Sequence, residues 1–250
     1  MGNINLLNKA LKFSKIVNLI HIGAHKGEEI NLYETYEFEK IYLVEPIKEC
    51  ADLIEKKIRN NPRFEIFNCA MGSENKFLKF FVADGEDSGS SSLLAPRKSD
   101  ILFSQIVEVE VKTFSSLNIK NIDAAVIDTQ GYEIEVLKGF EDDLQKLNIA
   151  IVEFANYEGY INQPTYKTLN KFMRSQRFVP VDQIKRINKP IPSKMGGSFG
   201  DILYVRKDLL RRQEIIFYIA KNYITNHLLF DIYVYSKKTI KKYIKNKLEI

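Results

Sequence analysis

Acidic residues stand directly after several short apolar runs of this chain. Val44-Glu45-Pro46 closes one run, Ile127-Asp128-Thr129-Gln130-Gly131-Tyr132-Glu133 a second, and Val152-Glu153-Phe154 a third. An acid at the end of a second strand can accept hydrogen bonds from both hydroxyls of a ribose. Gly23-Ala24-His25-Lys26-Gly27 supplies a matching turn. Gly23 permits unusual backbone angles and close approach of a ligand. Gly27 is expected at or near a helix start, where free amides can hold a carboxylate or phosphate. Glu45 follows Gly23 by 22 residues, close to the ~20 that a βαβ unit asks for. Turn and acid together point to a nucleoside ligand. No G-x-G occurs anywhere, so the dinucleotide fingerprint is absent. Asp128 and Glu153, at neighbouring strand ends, can orient a hydroxyl or accept its proton, with Glu133 a third candidate. In Asn68-Cys69-Ala70-Met71-Gly72, small and polar residues can flank an adenine, although a plain turn explains them equally well. His21 reads as a histidine packed within its strand, and His227 falls in the tail. No His/Asp spacing demands a metal, so none is expected.

Such residues act together only if a scaffold brings their strand ends to one edge. Residues 17–22, 41–44, 64–67, 124–127, 149–154, 178–181 and 202–205 read as strands. Residues 28–36, 49–58, 132–137 and 165–175 read as helices. In the second of these helices Cys50, Leu53, Ile54 and Ile58 form the apolar face. Residues 77–82 and 106–112 read as an antiparallel pair, joined by a mobile Ser-, Gly- and Asp-rich loop at 84–100. The alternation implies an α/β fold: a doubly wound, mainly parallel sheet with an antiparallel excursion after the third strand. Ligands of such sheets bind beyond the carboxyl ends of the strands. The loops at 88–95, 155–164 and 191–200 should then form the acceptor pocket. Asn156, Tyr157, Tyr160 and Asn162 mix aromatic faces with amides, which suits a sugar.

The 250 residues are 45% hydrophobic and 28% charged, with 16 Phe and 13 Tyr. That excludes a disordered chain and fits one large domain plus an appendage. No apolar run is long enough to span a membrane. The first residues lack a signal-peptide pattern, and Cys50 and Cys69 read as reduced thiols, so a cytoplasmic protein is expected. Residues 206–250 hold 11 Lys+Arg against 4 Asp+Glu, whereas the rest is close to neutral, with 26 against 28. The basic character therefore sits in the tail, which argues against a nucleic-acid partner for the body. In the tail Ile240, Tyr243, Ile244 and Leu248 form an apolar stripe among lysines. A helix of this kind packs on the body or a neighbouring subunit, or lies peripherally on an anionic membrane surface. The expected division is residues 1–206 and 207–250.

Taken together, these runs resemble the FkbM-type family of class I S-adenosylmethionine-dependent methyltransferases, over about residues 16–206. Beyond the segments already quoted, Leu137-Lys138-Gly139, Ser91-Ser92-Leu93 and Gly200-Asp201-Ile202-Leu203-Tyr204-Val205 carry the likeness. The resemblance implies a Rossmann-like sheet that binds S-adenosyl-L-methionine and passes the methyl to an oxygen of a small molecule or glycan. Gly23, Ala24, His25 and Gly27 would surround the methionyl part. Glu45 and Pro46 would meet the ribose, and Cys69 and Ala70 the adenine. Asp128 and Gln130 would lie near the amino group or the methyl, with Glu133 close by. His25 stands where an Asn is common, and Val126 where a Lys is common. A polyketide-like acceptor and a catalytically silent nucleoside-binding module are the alternatives. A nicotinamide oxidoreductase is disfavoured by the missing G-x-G.

Overall fold

The computed structural model describes residues 2–97, 101–187 and 198–223. In chain order the elements are α1 (Gly2–Ala10), β1 (Asn18–Ile22), α2 (Ile30–Glu34), β2 (Lys40–Val44), α3 (Lys48–Ile58), β3 (Phe64–Phe67), β4 (Ala70–Met71) and β5 (Lys76–Ala83). There follow β6 (Phe103–Lys112), β7 (Ala124–Ile127), α4 (Glu133–Lys138), β8 (Ile149–Ala155), α5 (Tyr166–Ser175), β9 (Phe178–Ile187), β10 (Ser198–Arg206) and α6 (Arg212–Tyr223). Seven strands form one sheet in the order β3-β2-β1-β7-β8-β10-β9. The pairs from β3 through β8 are parallel, and β10 runs antiparallel to both of its neighbours. This is the expected doubly wound sheet, with its order reversing between β1 and β7.

Register explains why the acids converge. Ile22 pairs with Val44 on one side and Ile127 on the other; Val44 pairs with Phe67, and Ile127 with Val152. Four strand ends, those of β1, β2, β3 and β7, are therefore level, and the next residues (Gly23, Glu45, Asn68 and Asp128) leave the sheet along one edge. Glu153 stands beside them but inside β8, which runs on to Ala155, because β10 continues to pair with it there.

Alternate side chains bury on opposite faces, as the pleat requires. Ile20, Ile22, Ala125, Ile127, Ala150 and Val152 pack in one cluster with residues of α4 and α5. Leu19, Ala124, Val126, Ile149 and Ile151 pack in the other with residues of α1 and α3. Val126 is thus a core residue there. His21 is buried in the strand, with its Nδ1 3.0 Å from the Tyr33 hydroxyl; burial lowers its pKa.

Several local expectations need correction. The helix after β1 covers only Ile30–Glu34. In α3 the buried residues are Cys50, Ala51, Ile54 and Ile58, while Leu53 is 41% exposed. Its neighbour Ala51 is small enough to sit against the sheet. Helix α1 was not anticipated; its Leu6, Leu7 and Ala10 are buried, and it lies against β8, β9 and β10. β9 continues to Ile187 and β10 begins at Ser198, so the end of the expected 191–200 loop is strand. Ala70-Met71 forms a short strand in place of a turn. In the tail, α6 lies against β9, with Ile215, Tyr218 and Ile219 adding to the second cluster. Residues 191–197, His227 and the 240–248 stripe lie outside the described residues. No helix among the described residues is long and apolar enough to cross a membrane.

The excursion is a second sheet in the order β4-β6-β5, with β5 and β6 antiparallel. It is fastened to the main body at Gly139, where a Cβ would come within 2.0 Å of the Gly72 carbonyl oxygen. Two bare backbones touch there, and the Phe114 N–H donates to the Gly139 carbonyl at 2.9 Å beside them.

Candidate active site

Above the level strand ends lies a cleft roofed by β5 and the Ser-rich loop. On its floor Gly23 has φ +85°, a backbone region that glycine adopts without strain. A Cβ there would fall 1.8 Å from the Asp128 carbonyl oxygen. The turns after β1 and β7 therefore come together only because this residue has no side chain. The Gly23 and Ala24 N–H groups both donate to the Val44 carbonyl, at 3.0 and 3.1 Å.

Glu45 is held by main chain. Its Oε2 accepts from the His25 N–H at 2.9 Å and its Oε1 from the Ile47 N–H at 2.8 Å. Each oxygen keeps a lone pair for a further donor. Burial pushes the carboxyl up to about 7, against the pull of these two N–H donors. Asn68 steadies the same turn through its amide, which donates to the carbonyls of Glu45 and Pro46 at 2.9 and 3.1 Å.

The opposite end of the cleft is built from side chains. Gln130 Nε2 donates to Asp128 Oδ1 at 2.8 Å and to Glu153 Oε2 at 2.9 Å. Burial, then the Asp128 and Glu133 charges, hold the Glu153 carboxyl well above the ordinary range. Asp201 of β10 pairs in register with Glu153. Glu133 has a different task. Its Oε1 accepts from the N–H groups of Gly131 and Thr129, at 2.8 and 3.2 Å, and so braces the turn that precedes α4. Burial pushes this carboxyl up to about 7.

The Ser-rich loop joins both ends. His25, in a left-handed conformation with φ +47°, places Nδ1 2.8 Å from Glu28 Oε1 and Nε2 3.0 Å from Ser88 Oγ. Lys26 Nζ donates to the same Ser88 oxygen at 3.1 Å. Further along, Ser92 Oγ donates to the Gln130 carbonyl at 2.9 Å, and the Tyr160 hydroxyl donates to the Ser90 carbonyl.

Gly23, His25, Glu45, Pro46, Cys69, Ala70, Asp128 and Gln130 all line the cleft. Ala24 and Gly27 do not. Ala24 is buried in the core cluster on the other face of the sheet. A Cβ on Gly27 would meet Ile30 and Ile54, and the Gly27 N–H is already bonded to the Ala24 carbonyl. The expected anion-holding amides of that turn are thus consumed within it, because α2 begins three residues later. Glu153 stands behind Gln130, and Glu133 beneath the turn. Of the proposed sugar-facing group, Tyr160 is buried and the Asn156 amide is bonded to Ser198 Oγ. Tyr157 is half-buried and Asn162 exposed, and neither lines the cleft. Sequence reasoning missed the apolar walls: Ile47, Cys50, Phe80 and Val82. The alternation of Leu78, Phe80 and Val82 was the available signal. The thiols of Cys50 and Cys69 are free and buried, and burial pushes both up to about 11.

A buried acid at the β2 end, an apolar slot and a side-chain-free floor fit a nucleoside cofactor such as S-adenosylmethionine. Among the described residues no group of three or more His, Cys, Asp or Glu could hold a metal ion. Residues 21–180 match the model of the methyltransferase FkbM domain. The chain belongs to the FkbM methyltransferase family. No curated protein matches it. Among solved structures, this FkbM-family chain is similar to StiE O-MT residues 961–1257, with 13% identity over 88% of this chain and 80% of that one, at a TM-score of 0.50. An uncharacterized protein from Listeria monocytogenes serotype 4b shares 10% identity over 98% of this chain and 87% of its own, also at 0.50. Both likenesses concern the fold alone. A methyltransferase FkbM from Methylobacillus flagellatus KT shares 15% identity over 76% of this chain at a TM-score of 0.47; the present chain spans 43% of that protein.

Proposed function

We propose that this FkbM-family protein transfers a methyl group from S-adenosylmethionine to a hydroxyl oxygen of a saccharide or lipid-linked glycan. When bound, the cofactor supplies an electrophilic methyl on a sulfonium that leaves as a neutral thioether, so no acid is needed for its departure. The acceptor oxygen gains the methyl and loses its proton. The residues of this chain position the partners and take that proton. Glu45 would receive the ribose hydroxyls, with Cys69 and Ala70 along the base. Gly23 and His25 would flank the amino-acid part.

The observation that carries the reading is the Asp128–Gln130–Glu153 arrangement at the far end of the same cleft. It offers a carboxylate on the wall, directly opposite the nucleoside-binding end. Asp128, which faces the cleft, is the positioning group and the carboxylate placed to take the acceptor's proton; Glu153 backs it from behind Gln130, and Glu133 is withdrawn to bracing. The glycan part rests on the family resemblance. The division at residue 206 and a cytoplasmic, membrane-peripheral setting belong to the same proposal.

Calorimetry of the full chain with S-adenosylmethionine, its demethylated product and NAD tests the cofactor. Binding of the first two is expected, and binding of NAD alone would sink the reading. Incubation with glycan and small-hydroxyl acceptors, read by mass spectrometry for the gain of one methyl, tests the acceptor class. Methylation confined to non-saccharide hydroxyls would overturn the glycan assignment while leaving the transfer in place.

A further inference from the structure

Gln130 is held through its side-chain nitrogen. Nε2 donates to Asp128 Oδ1 at 2.8 Å and to Glu153 Oε2 at 2.9 Å, while Oε1 lies 3.4 Å from the Tyr160 hydroxyl, whose single proton goes to the Ser90 carbonyl. The Gln130 carbonyl is held by Ser92 at 2.9 Å. Its backbone is left-handed, with φ +53°, a conformation that a non-glycine residue keeps only where its surroundings over-determine it. Asp128 and Gln130 face the cleft, whereas Glu153 is reached through the glutamine.

Two carboxylates held within 3 Å of one nitrogen take up their first proton far more readily than their second. The charged groups that weigh most on Glu153 are Asp128, Glu133 and Asp201, all acids. Tyr160 closes the far side of Gln130 with a neutral hydroxyl. Burial adds to the repulsion and keeps Glu153 in its protonated form well above the ordinary carboxyl range.

We propose that Gln130 is a positioning residue that clamps Asp128 and Glu153 into a pair holding one proton, charged toward the cleft and neutral behind it. The consequence, which rests on the S-adenosylmethionine reading, is a pH-dependent preference between ligands. The cofactor carries a positive sulfonium and its demethylated product does not. A singly charged pair on the shared cleft wall therefore favours the cofactor over the product.

The test is calorimetry of the full chain with each ligand from about pH 5 to about pH 9, a range that spans shifted carboxyls. In the native protein the ratio of the two affinities falls on acidification, as the pair takes up its second proton. Gln130→Met removes the N–H donors that stabilise the charge. The fall should then move to higher pH by about one unit, and the ratio at neutral pH should drop by up to about tenfold. Should that variant fail to fold, Gln130→Asn tolerates the left-handed backbone and is too short to span both acids. An unmoved pH dependence, or an equal loss of both ligands at every pH, would overturn the proposal.

Infrared spectroscopy tests the pair without any ligand. A protonated-carboxyl band that is missing from Glu153→Gln is expected in the native protein at about pH 9, above the range in which Glu45 and Glu133 hold their protons; identical spectra of the two proteins there would also overturn the pair. Failure of the native protein to bind either ligand, with that band present, would instead refute the cofactor reading alone.

Discussion

Around β1 and β2 the cleft is shaped by main chain, whereas beyond β7 and β8 it is shaped by side chains. Glu45 is fixed by the amides of His25 and Ile47, and Gly23 by the lack of a side chain. Asp128 and Glu153 are fixed by Gln130, and Gln130 by Ser92. Backbone contacts depend on strand register and tolerate few changes. Side-chain networks can be rebuilt one residue at a time without moving the sheet. One end is thus suited to a constant ligand and the other to a variable one.

The most severe test of this contrast is Gly23→Ala. The added methyl meets the Asp128 carbonyl, and the φ of +85° is unfavourable for alanine. A loss of about 3 kcal/mol or more in urea unfolding is expected, together with loss of cofactor binding. An unchanged unfolding midpoint would show that the main-chain end is not rigid.

Glu45 gives the next largest effect. Glu45→Ala should weaken S-adenosylmethionine binding by about tenfold to a hundredfold in calorimetry, the range for a lost charge-assisted hydrogen bond. Its protonation also bears on stability. The folded carboxyl titrates at about 7, against an ordinary value of 4.5. The folded state therefore holds the proton more tightly than the unfolded state does. The associated stability is fully present below pH 4.5 and is lost as pH rises toward 7, by roughly 3 kcal/mol in all. Urea midpoints of the ligand-free protein should fall over this window more steeply than those of Glu45→Gln. Parallel curves would break the assignment.

The smallest effect is expected at Ser88, where the roof touches both His25 and Lys26. Ser88→Ala should cost about 1 kcal/mol or less and change cofactor affinity only a few-fold. A loss as large as that of Glu45→Ala would mean that the roof, rather than the sheet edge, holds the ligand.

The continuous apolar run 124–127 was legible because a strand buried on both faces needs no alternation. The acids after β2 and β7 were legible because strand ends are marked by an abrupt change of polarity, whereas Glu153 proves to lie within β8, two residues before its end. Helix α1 was not: its three buried residues are too few to establish a period, and the surface that selects it is assembled from β8, β9 and β10. The role of Glu133 was hidden because it depends on amides turned inward by the backbone of residues 129–131. The misplacement of Gly27 has the same origin, since a turn that consumes its own amides looks like one that offers them. The meeting of His25 with Ser88 joins residues 63 positions apart, and no local pattern encodes it.

The contact between Gly72 and Gly139 bears on how such a protein can change. The small sheet is fastened where two backbones meet and nothing can be inserted, yet the serines it carries over the cleft meet the body through their side chains. That segment is an exchangeable part on a fixed socket. A relative could replace the serines with a loop of another length or chemistry and admit a different acceptor, and the fastening would need no redesign.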